Sequence, residues 1–267
     1  MRLPHLAFIG GGNMATAIIA GLRKRDQVPD ITVCDPVAAV RERHAAAGCR
    51  VSDQIPEAAQ DRPVVILAVK PQQAEAVLTE LRPAFGKDQL LISILAGTRC
   101  ERLESGLQPG ARVVRAMPNT PMAVGAGMVG LCAGSAATDA DCRLAEAIFA
   151  GAATVLRTTE DRMDALTAIS GSGPAYLFHY CEAMQAAAID LGFSPEEAAL
   201  LVGTTVQGSI RYLLSHDGFP ADRLREQVTS PGGTTAAALA VFEQRGFLDM
   251  VQEAVRAAQR RGRELSA

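Results

Sequence analysis

Three stretches of this chain carry residue types that do chemistry through the backbone and through hydroxyls rather than through strong acids or bases. Phe8-Ile9-Gly10-Gly11-Gly12-Asn13-Met14-Ala15 is a G-x-G-x-x-A run that directly follows a short apolar segment. In such a run Gly10 permits the tight turn, Gly12 lets a pyrophosphate approach the main chain, and the small Ala15 lets helix and strand pack closely. Asn13 and Met14 would open the helix whose first amides face the anion. The second stretch is Val228-Thr229-Ser230-Pro231-Gly232-Gly233-Thr234-Thr235. Its paired glycines gather amides into an anion-binding nest, a helix beginning near Thr234 adds its positive end, and Ser230, Thr234 and Thr235 supply neutral donors. A small carboxylate suits it; the plain alternative is an ordinary helix cap. The third stretch, Ser170-Gly171-Ser172-Gly173-Pro174, lacks the complete G-x-S-x-G elbow and follows no strand, which argues against a serine hydrolase.

Other candidates sit where strands would end. Asp35 falls 23 residues after Gly12 and closes a second apolar segment. A carboxylate there accepts hydrogen bonds from ribose hydroxyls, which favours NAD(H). The competing reading is structural, with Asp35 as an N-cap and Pro36 as the first residue of the next helix. Lys70, in Ala68-Val69-Lys70-Pro71, is the one lysine of three placed to face a cofactor; Lys24 and Lys87 fall at a helix end and in a polar turn. Ala96-Gly97, and Asn119 within Met117-Pro118-Asn119-Thr120-Pro121, continue this row of strand-end loops. Glycine and proline at such places also serve as plain turn chemistry.

Positioning these loops requires a particular grammar of elements. From residue 5 to about 157, short Val/Ile/Leu-rich runs alternate with amphipathic stretches such as Met14 to Arg25 and Gln72 to Leu81, which predicts a parallel sheet covered on both faces. The expected strands are His5 to Gly10, Ile31 to Asp35, Pro63 to Val69, Gln89 to Ile94, Ala111 to Met117 and Met128 to Cys132. From about Asp161 the β-rich runs stop, and Ala-rich stretches with glycine or proline breaks predict an all-helical region. The expected class is therefore α/β: a Rossmann-type doubly wound sheet over residues 1–160, then a helical substrate-binding and dimerisation domain over 161–267. Neither Pro174 to Cys181 nor Ala198 to Ile210 holds an Asp, Glu, Lys or Arg. Helices apolar on more than one face in so small a domain predict packing against a second copy of the chain.

Composition removes whole classes of function. With 48% hydrophobic and 21% charged residues among 267, the chain is neither disordered nor collagen-like. A net charge of -3 offers no basic field for nucleic acid. The first apolar segment is too short for a signal sequence or a membrane span, and a cytoplasmic address is expected. Six cysteines occur without a Cys-x-x-Cys pair and four histidines without helical pairing. These spacings predict reduced, mostly buried thiols, no metal, and His179 as a packed helix residue.

Taken together, Phe8 to Ala15, Ala68 to Pro71, Met117 to Pro121, Ser170 to Tyr176 and Val228 to Thr235 are similar, in order, to the pyrroline-5-carboxylate reductase family. The resemblance runs from the first strand to the last helices. It implies reduction of 1-pyrroline-5-carboxylate to L-proline with NADP(H) or NAD(H), a homodimer with further assembly of dimers in some members, and a site shared between two chains. It also implies that the Thr235 hydroxyl contacts the imine nitrogen, that Ser230, Gly232, Gly233 and Thr234 hold the carboxylate, and that Ser170 joins the substrate-binding set. Lys70, facing the cofactor, is grouped with Thr235 as catalytic. One departure stands out: many NADP-using relatives resemble Asn-Arg or Ser-Arg where this chain has Cys34-Asp35-Pro36, with no arginine before Arg41. A β-hydroxyacid dehydrogenase is the enzymatic rival, but it resembles a pattern with a catalytic lysine on a second-domain helix, and no lysine follows Lys87. A non-catalytic NAD(P)-binding regulator is the rival of another kind, and it would need no carboxylate nest.

Overall fold

A computed structural model of the chain describes residues 2–218 and 220–266. Among them are eight strands: β1 (Leu6–Ile9), β2 (Ile31–Cys34), β3 (Arg50–Ser52), β4 (Val64–Leu67), β5 (Leu90–Ser93), β6 (Arg112–Pro118), β7 (Gly127–Ala133) and β8 (Ala153–Arg157). The helices between them are α1 (Asn13–Leu22), α2 (Ala38–Ala46), α3 (Ile55–Ala59), α4 (Ala74–Leu81), α5 (Cys100–Ser105) and α6 (Asp139–Phe149). Past β8 come the short α7 (Met163–Leu166), then α8 (Gly173–Asp190), α9 (Pro195–Leu214), α10 (Ala221–Gln227), α11 (Thr234–Gln244) and α12 (Phe247–Ser266).

The strands form one sheet in the order β3-β2-β1-β4-β5-β6-β7-β8. The chain runs outward from β1 through β2 to β3, then returns to place β4 on the other side of β1. That reversal makes the carboxyl ends of β1 and β4 the switch point, where doubly wound sheets leave a crevice for ligand. β1, β2, β4 and β5 are buried at every position, so their continuous apolar runs are the signature of strands covered on both faces. Alternate residues divide between two cores. Phe8, Ile66 and Ile92 pack with Ile18 and Leu22 of α1 and Phe149 of α6 on one face. Ala7, Val65 and Leu91 pack with Ala58 of α3, Leu78 of α4 and Leu103 of α5 on the other.

The sheet departs from the sequence expectation in two respects. Arg50–Ser52 and Ala153–Arg157 also pair as strands; both lie at sheet edges, where exposed Arg50, Val51 and Leu156 blur the apolar run that marks an inner strand. In addition, β7 runs antiparallel to β6 while β8 runs parallel to β7. A tight 3-10 turn, Thr120–Val124, reverses the chain between β6 and β7 with Gly125 left-handed at its end (φ +80°). A connection this short cannot make the crossover that a parallel pair requires.

The chain divides into two compact units, Met1–Ser172 with Ala258–Ala267, and Gly173–Ala257. The second is helical throughout. Its α9 begins at a capping box, with Ser194 Oγ accepting from the Glu197 amide and the Glu197 carboxylate accepting from the Ser194 amide. No residue of α8 is buried and only Ala198 and Val202 of α9 are. Phe178, Leu200 and Tyr212 stand largely exposed, as the charge-free stretches of the sequence led one to expect of helices awaiting a partner. His179 is not packed: its side chain is exposed and paired with Glu182 one turn on.

Candidate active site

The first half of the site grows from the end of β1. Gly10 has φ +100°, and a Cβ there would lie 2.5 Å from the Ala68 carbonyl oxygen, so no other residue fits where the β1 and β4 loops touch. Hydrogen bonds lock that contact, Gly10 N to Cys34 O and Ala68 N to Ile9 O, both 2.8 Å. A Cβ on Gly11 would meet Val40 and His44 at 2.6 and 3.0 Å. At Gly12 the situation inverts: a Cβ would meet no atom within 4 Å. The residue before α1 thus opens onto free space, where backbone rather than side chain is presented. Asn13 and Met14 form the first turn of α1, which contains no acidic residue, and Ala15 is buried against the sheet. This end of α1 meets the requirements of a pyrophosphate: unencumbered amides, a positive helix terminus and no steric block.

Asp35 is not the N-cap of the next helix. Val37 takes that place, and Pro36 precedes it. The Asp35 carboxylate instead braces the loops: Oδ2 accepts from the Gly11 amide and Oδ1 from the Val37 amide, both at 2.9 Å. Two residues that the sequence gave no reason to select complete this brace. Arg43 Nη2 donates to the Gly11 carbonyl at 2.7 Å, and His44 Nε2 lies 2.8 Å from the same oxygen. Since a carbonyl only accepts, Nε2 of the buried His44 carries the hydrogen. In the sequence His44 is an isolated histidine; only the packing of α2 over the glycine loop gives it a purpose. Beside it, burial pushes the Cys34 thiol up to about 11, with the acidic Glu80, Asp35 and Asp53 adding to the shift.

The other strand-end candidates follow β4, β5 and β6. Ala68 and Val69 are half-buried, and Lys70 is exposed where the chain enters a 3-10 turn, Pro71–Gln73. Ala96 is exposed after β5, and Gly97 is left-handed (φ +67°), with Leu265 of α12 3.3 Å from where its Cβ would stand. Asn119 is buried and its side chain is spent on the protein: Nδ2 donates to the Ser170 carbonyl at 3.0 Å and Oδ1 accepts from the Met128 amide at 2.8 Å. It therefore ties the β6–β7 turn to the Ser-Gly-Ser-Gly motif. That motif contains a π-helical turn, Thr167–Gly171, closed by Ser172 N donating to Thr167 O at 2.9 Å. Such wide turns mark functional positions in helices. Ser170 Oγ lies inside it with no hydrogen-bond partner among the described residues.

The helical unit carries the second loop. Gly233 is the N-cap of α11 with an extended backbone, and its amide donates to Ser230 O at 3.0 Å. Gly232 is left-handed (φ +70°), and its added Cβ, like that of Gly12, would meet nothing within 4 Å. α11 starts at Thr234 without an acidic residue in its first turn. The loop thus brings Ser230, Gly232 and Gly233 to the start of α11 beside Thr234 and Thr235. A helix start without acidic residues favours an anion.

Comparison with known proteins places these features in one family. Residues 160–265 match the family described as pyrroline-5-carboxylate reductase dimerisation, and residues 5–97 the family described as NADP oxidoreductase, coenzyme F420-dependent. A pyrroline-5-carboxylate reductase of Pseudomonas aeruginosa is 42% identical over 100% of this chain and 98% of its own length. The structure of a pyrroline-5-carboxylate reductase from Coxiella burnetii, 38% identical, superposes with a TM-score of 0.90 over 98% of each chain. A Plasmodium falciparum pyrroline carboxylate reductase with NADP bound, 29% identical, gives 0.87 over the same shares. With this identity sustained from end to end, the chain belongs to the pyrroline-5-carboxylate reductase family.

Proposed function

We propose that this protein reduces 1-pyrroline-5-carboxylate to L-proline with NAD(P)H. When bound, the reduced nicotinamide supplies a hydride to C5 of the ring C=N bond, and a proton on the nitrogen completes the product amine. The observation that carries this reading is the pair of ligand-ready loops, each a glycine before a helix whose first turn lacks acidic residues and each open above the backbone. One suits a pyrophosphate, the other a ring carboxylate.

In this reading Gly10, Gly12, Asn13, Met14 and Ala15 hold the pyrophosphate, while Ala68, Val69, Lys70, Pro71, Ala96, Gly97 and Asn119 form the wall along the cofactor. Asp35 stands beside the adenosine ribose. Gly232, Gly233 and Thr234 donate amides to the substrate carboxylate, with Ser230 beside them, and Ser170 is also assigned to the substrate. Thr235 presents its hydroxyl to the ring nitrogen, accepting from it when protonated and donating when not. No strong acid is needed if the substrate arrives as an iminium. The protein's contribution is orientation and exclusion of water. Lys70 adds a positive charge near the cofactor; its exposed side chain makes no ion pair among the described residues.

The helical unit joins two copies of the chain, which covers the apolar faces of α8 and α9, and dimers assemble further through other surfaces. A cytoplasmic address belongs to the same reading: five of six cysteines are buried, none is paired, and no helix among the described residues is long and apolar enough to cross a membrane. The deciding assay follows NADPH and NADH absorbance in parallel, with and without 1-pyrroline-5-carboxylate, alongside light scattering. Substrate-dependent oxidation by a dimer or larger assembly is expected. Cofactor binding without turnover would leave the regulator reading instead.

A further inference from the structure

One buried cluster has no part in that reaction. Cys100 begins α5, Cys132 lies on β7, and Glu160 opens the 3-10 turn Glu160–Arg162 that follows β8. Both cysteines are more than nine-tenths buried. Their sulfurs lie 3.9 Å apart, Glu160 Oε2 is 3.6 Å from Cys132 Sγ, and one donor atom from each of the three falls within 4.8 Å of the other two.

These separations are the edges of a metal polyhedron. With metal–sulfur bonds of about 2.3 Å and metal–oxygen bonds of about 2.0–2.2 Å, a tetrahedral zinc has S···S edges of about 3.8 Å and S···O edges of about 3.5 Å. A disulfide would instead need the sulfurs at about 2.05 Å. At 3.9 Å the two thiols touch without forming a disulfide, a spacing that also admits a shared ion.

The carboxylate is held in the orientation a ligand requires. Glu160 Oε2, the oxygen facing the sulfurs, also accepts from the Cys100 amide at 3.1 Å. Oε1 turns away and accepts from Arg115 Nη1, whose guanidinium is itself 1% exposed and lies 3.8 Å from Asp164. An outer partner of this kind fixes ligand geometry in metal sites. Charge is conserved as well: two thiols exchange two protons for one divalent cation, so the buried pocket keeps its net charge. Met163 and Leu103, both fully buried, contribute to the apolar surroundings on this face of the sheet.

We propose that Cys100, Cys132 and Glu160 bind one thiolate-preferring divalent cation of the zinc type as a clip joining α5, β7 and the turn after β8. Binding forms two metal–sulfur bonds and one metal–oxygen bond and releases the two thiol protons. The site does not depend on the reductase reading.

The test uses the full chain, reduced and stripped with a chelator, and the probes are Co²⁺ and Zn²⁺ alone. One equivalent of Co²⁺ added to the stripped chain should produce a thiolate-to-metal charge-transfer band and release about two protons near neutrality, and one equivalent of Zn²⁺ should then abolish the band with no further proton release. Zinc should also shield two thiols from a thiol-modifying reagent. Cys100→Ser and Cys132→Ser should each lose the band, whereas Cys49→Ser keeps it. Glu160→Gln, which removes the carboxylate ligand and retains both sulfurs, should weaken zinc by roughly 100-fold or more, beyond the cost of a lost outer-sphere contact. Should the serine variants fail to fold by circular dichroism, the proton count and thiol shielding of the unaltered chain still decide. Absence of a thiolate band in the folded chain, or a band that survives both serine substitutions, would overturn the proposal.

Discussion

The glycine loop after β1 and the glycine loop before α11 present the same chemistry, amides at a helix terminus, in opposite mechanical settings. The first is over-determined. Gly10 is pressed against Ala68, Gly11 is walled in by Val40 and His44, and Asp35, Arg43 and His44 all bond to the Gly11 peptide groups. The second is almost free: apart from the Gly233 amide bonding to Ser230, its glycines touch little, and its hydroxyls stand at an open surface. The first loop is thus fixed from several sides within one compact unit, while the second is held by little beyond its own helix start.

The comparison breaks most visibly at Gly10. Gly10→Ala forces a Cβ to 2.5 Å from a backbone oxygen in a left-handed conformation. It should cost about 3 kcal/mol or more of stability together with cofactor binding, read by thermal denaturation and NADPH fluorescence titration. At the free loop, Thr235→Ala should leave the melting temperature unchanged yet lower kcat/KM roughly 10- to 150-fold, the equivalent of about 1.5–3 kcal/mol for a hydrogen bond to a charged partner. Unchanged kinetics would remove Thr235 from the mechanism. Gly12→Ala sharpens the contrast within the first loop, because its Cβ enters empty space at an ordinary φ of -66°. Folding should be spared and NADPH affinity should fall about tenfold, equivalent to about 1.4 kcal/mol.

Smaller effects test the brace. Asp35→Asn removes one negative charge beside the glycine loop. The ratio of kcat/KM with NADPH to that with NADH should rise about fivefold, the size of a charge interaction of about 1 kcal/mol. A last effect lies in the Cys34 thiol and shows only at alkaline pH. A group whose folded pKa is raised contributes stability that is fully present below its unfolded value and is lost as pH rises through the folded one. Stability should therefore decline between pH 9.0 and about 11, and Cys34→Ser should make that decline shallower in denaturant titrations across the range.

How much of this was legible beforehand follows from distance along the chain. The inner strands β1, β2, β4 and β5 were readable because burial on both faces leaves an almost continuous apolar run, and β6 and β7 because apolar residues dominate them despite Arg112 and Arg115 in β6. The edge strands β3 and β8 were not, since half their residues meet water. The loops at Gly10–Ala15 and Ser230–Thr235 were readable because a left-handed glycine and a helix start are decided by neighbouring residues. Asp35 was selected for its place, yet the local reading, a helix cap, assigned it the wrong backbone partner.

The sequence by itself determined the alternation of strands and helices, the two glycine loops, and the apolar helices that need a second chain. All are set by backbone energies and hydrophobic periodicity over a few residues. Tertiary structure alone decided that β7 turns back against β6, that Asp35 and His44 converge on Gly11 from 24 and 33 positions away, and that Cys100 and Cys132, 32 apart, meet beside Glu160. Such meetings depend on how crossovers stack helices on a sheet, and no spacing within a single element encodes them.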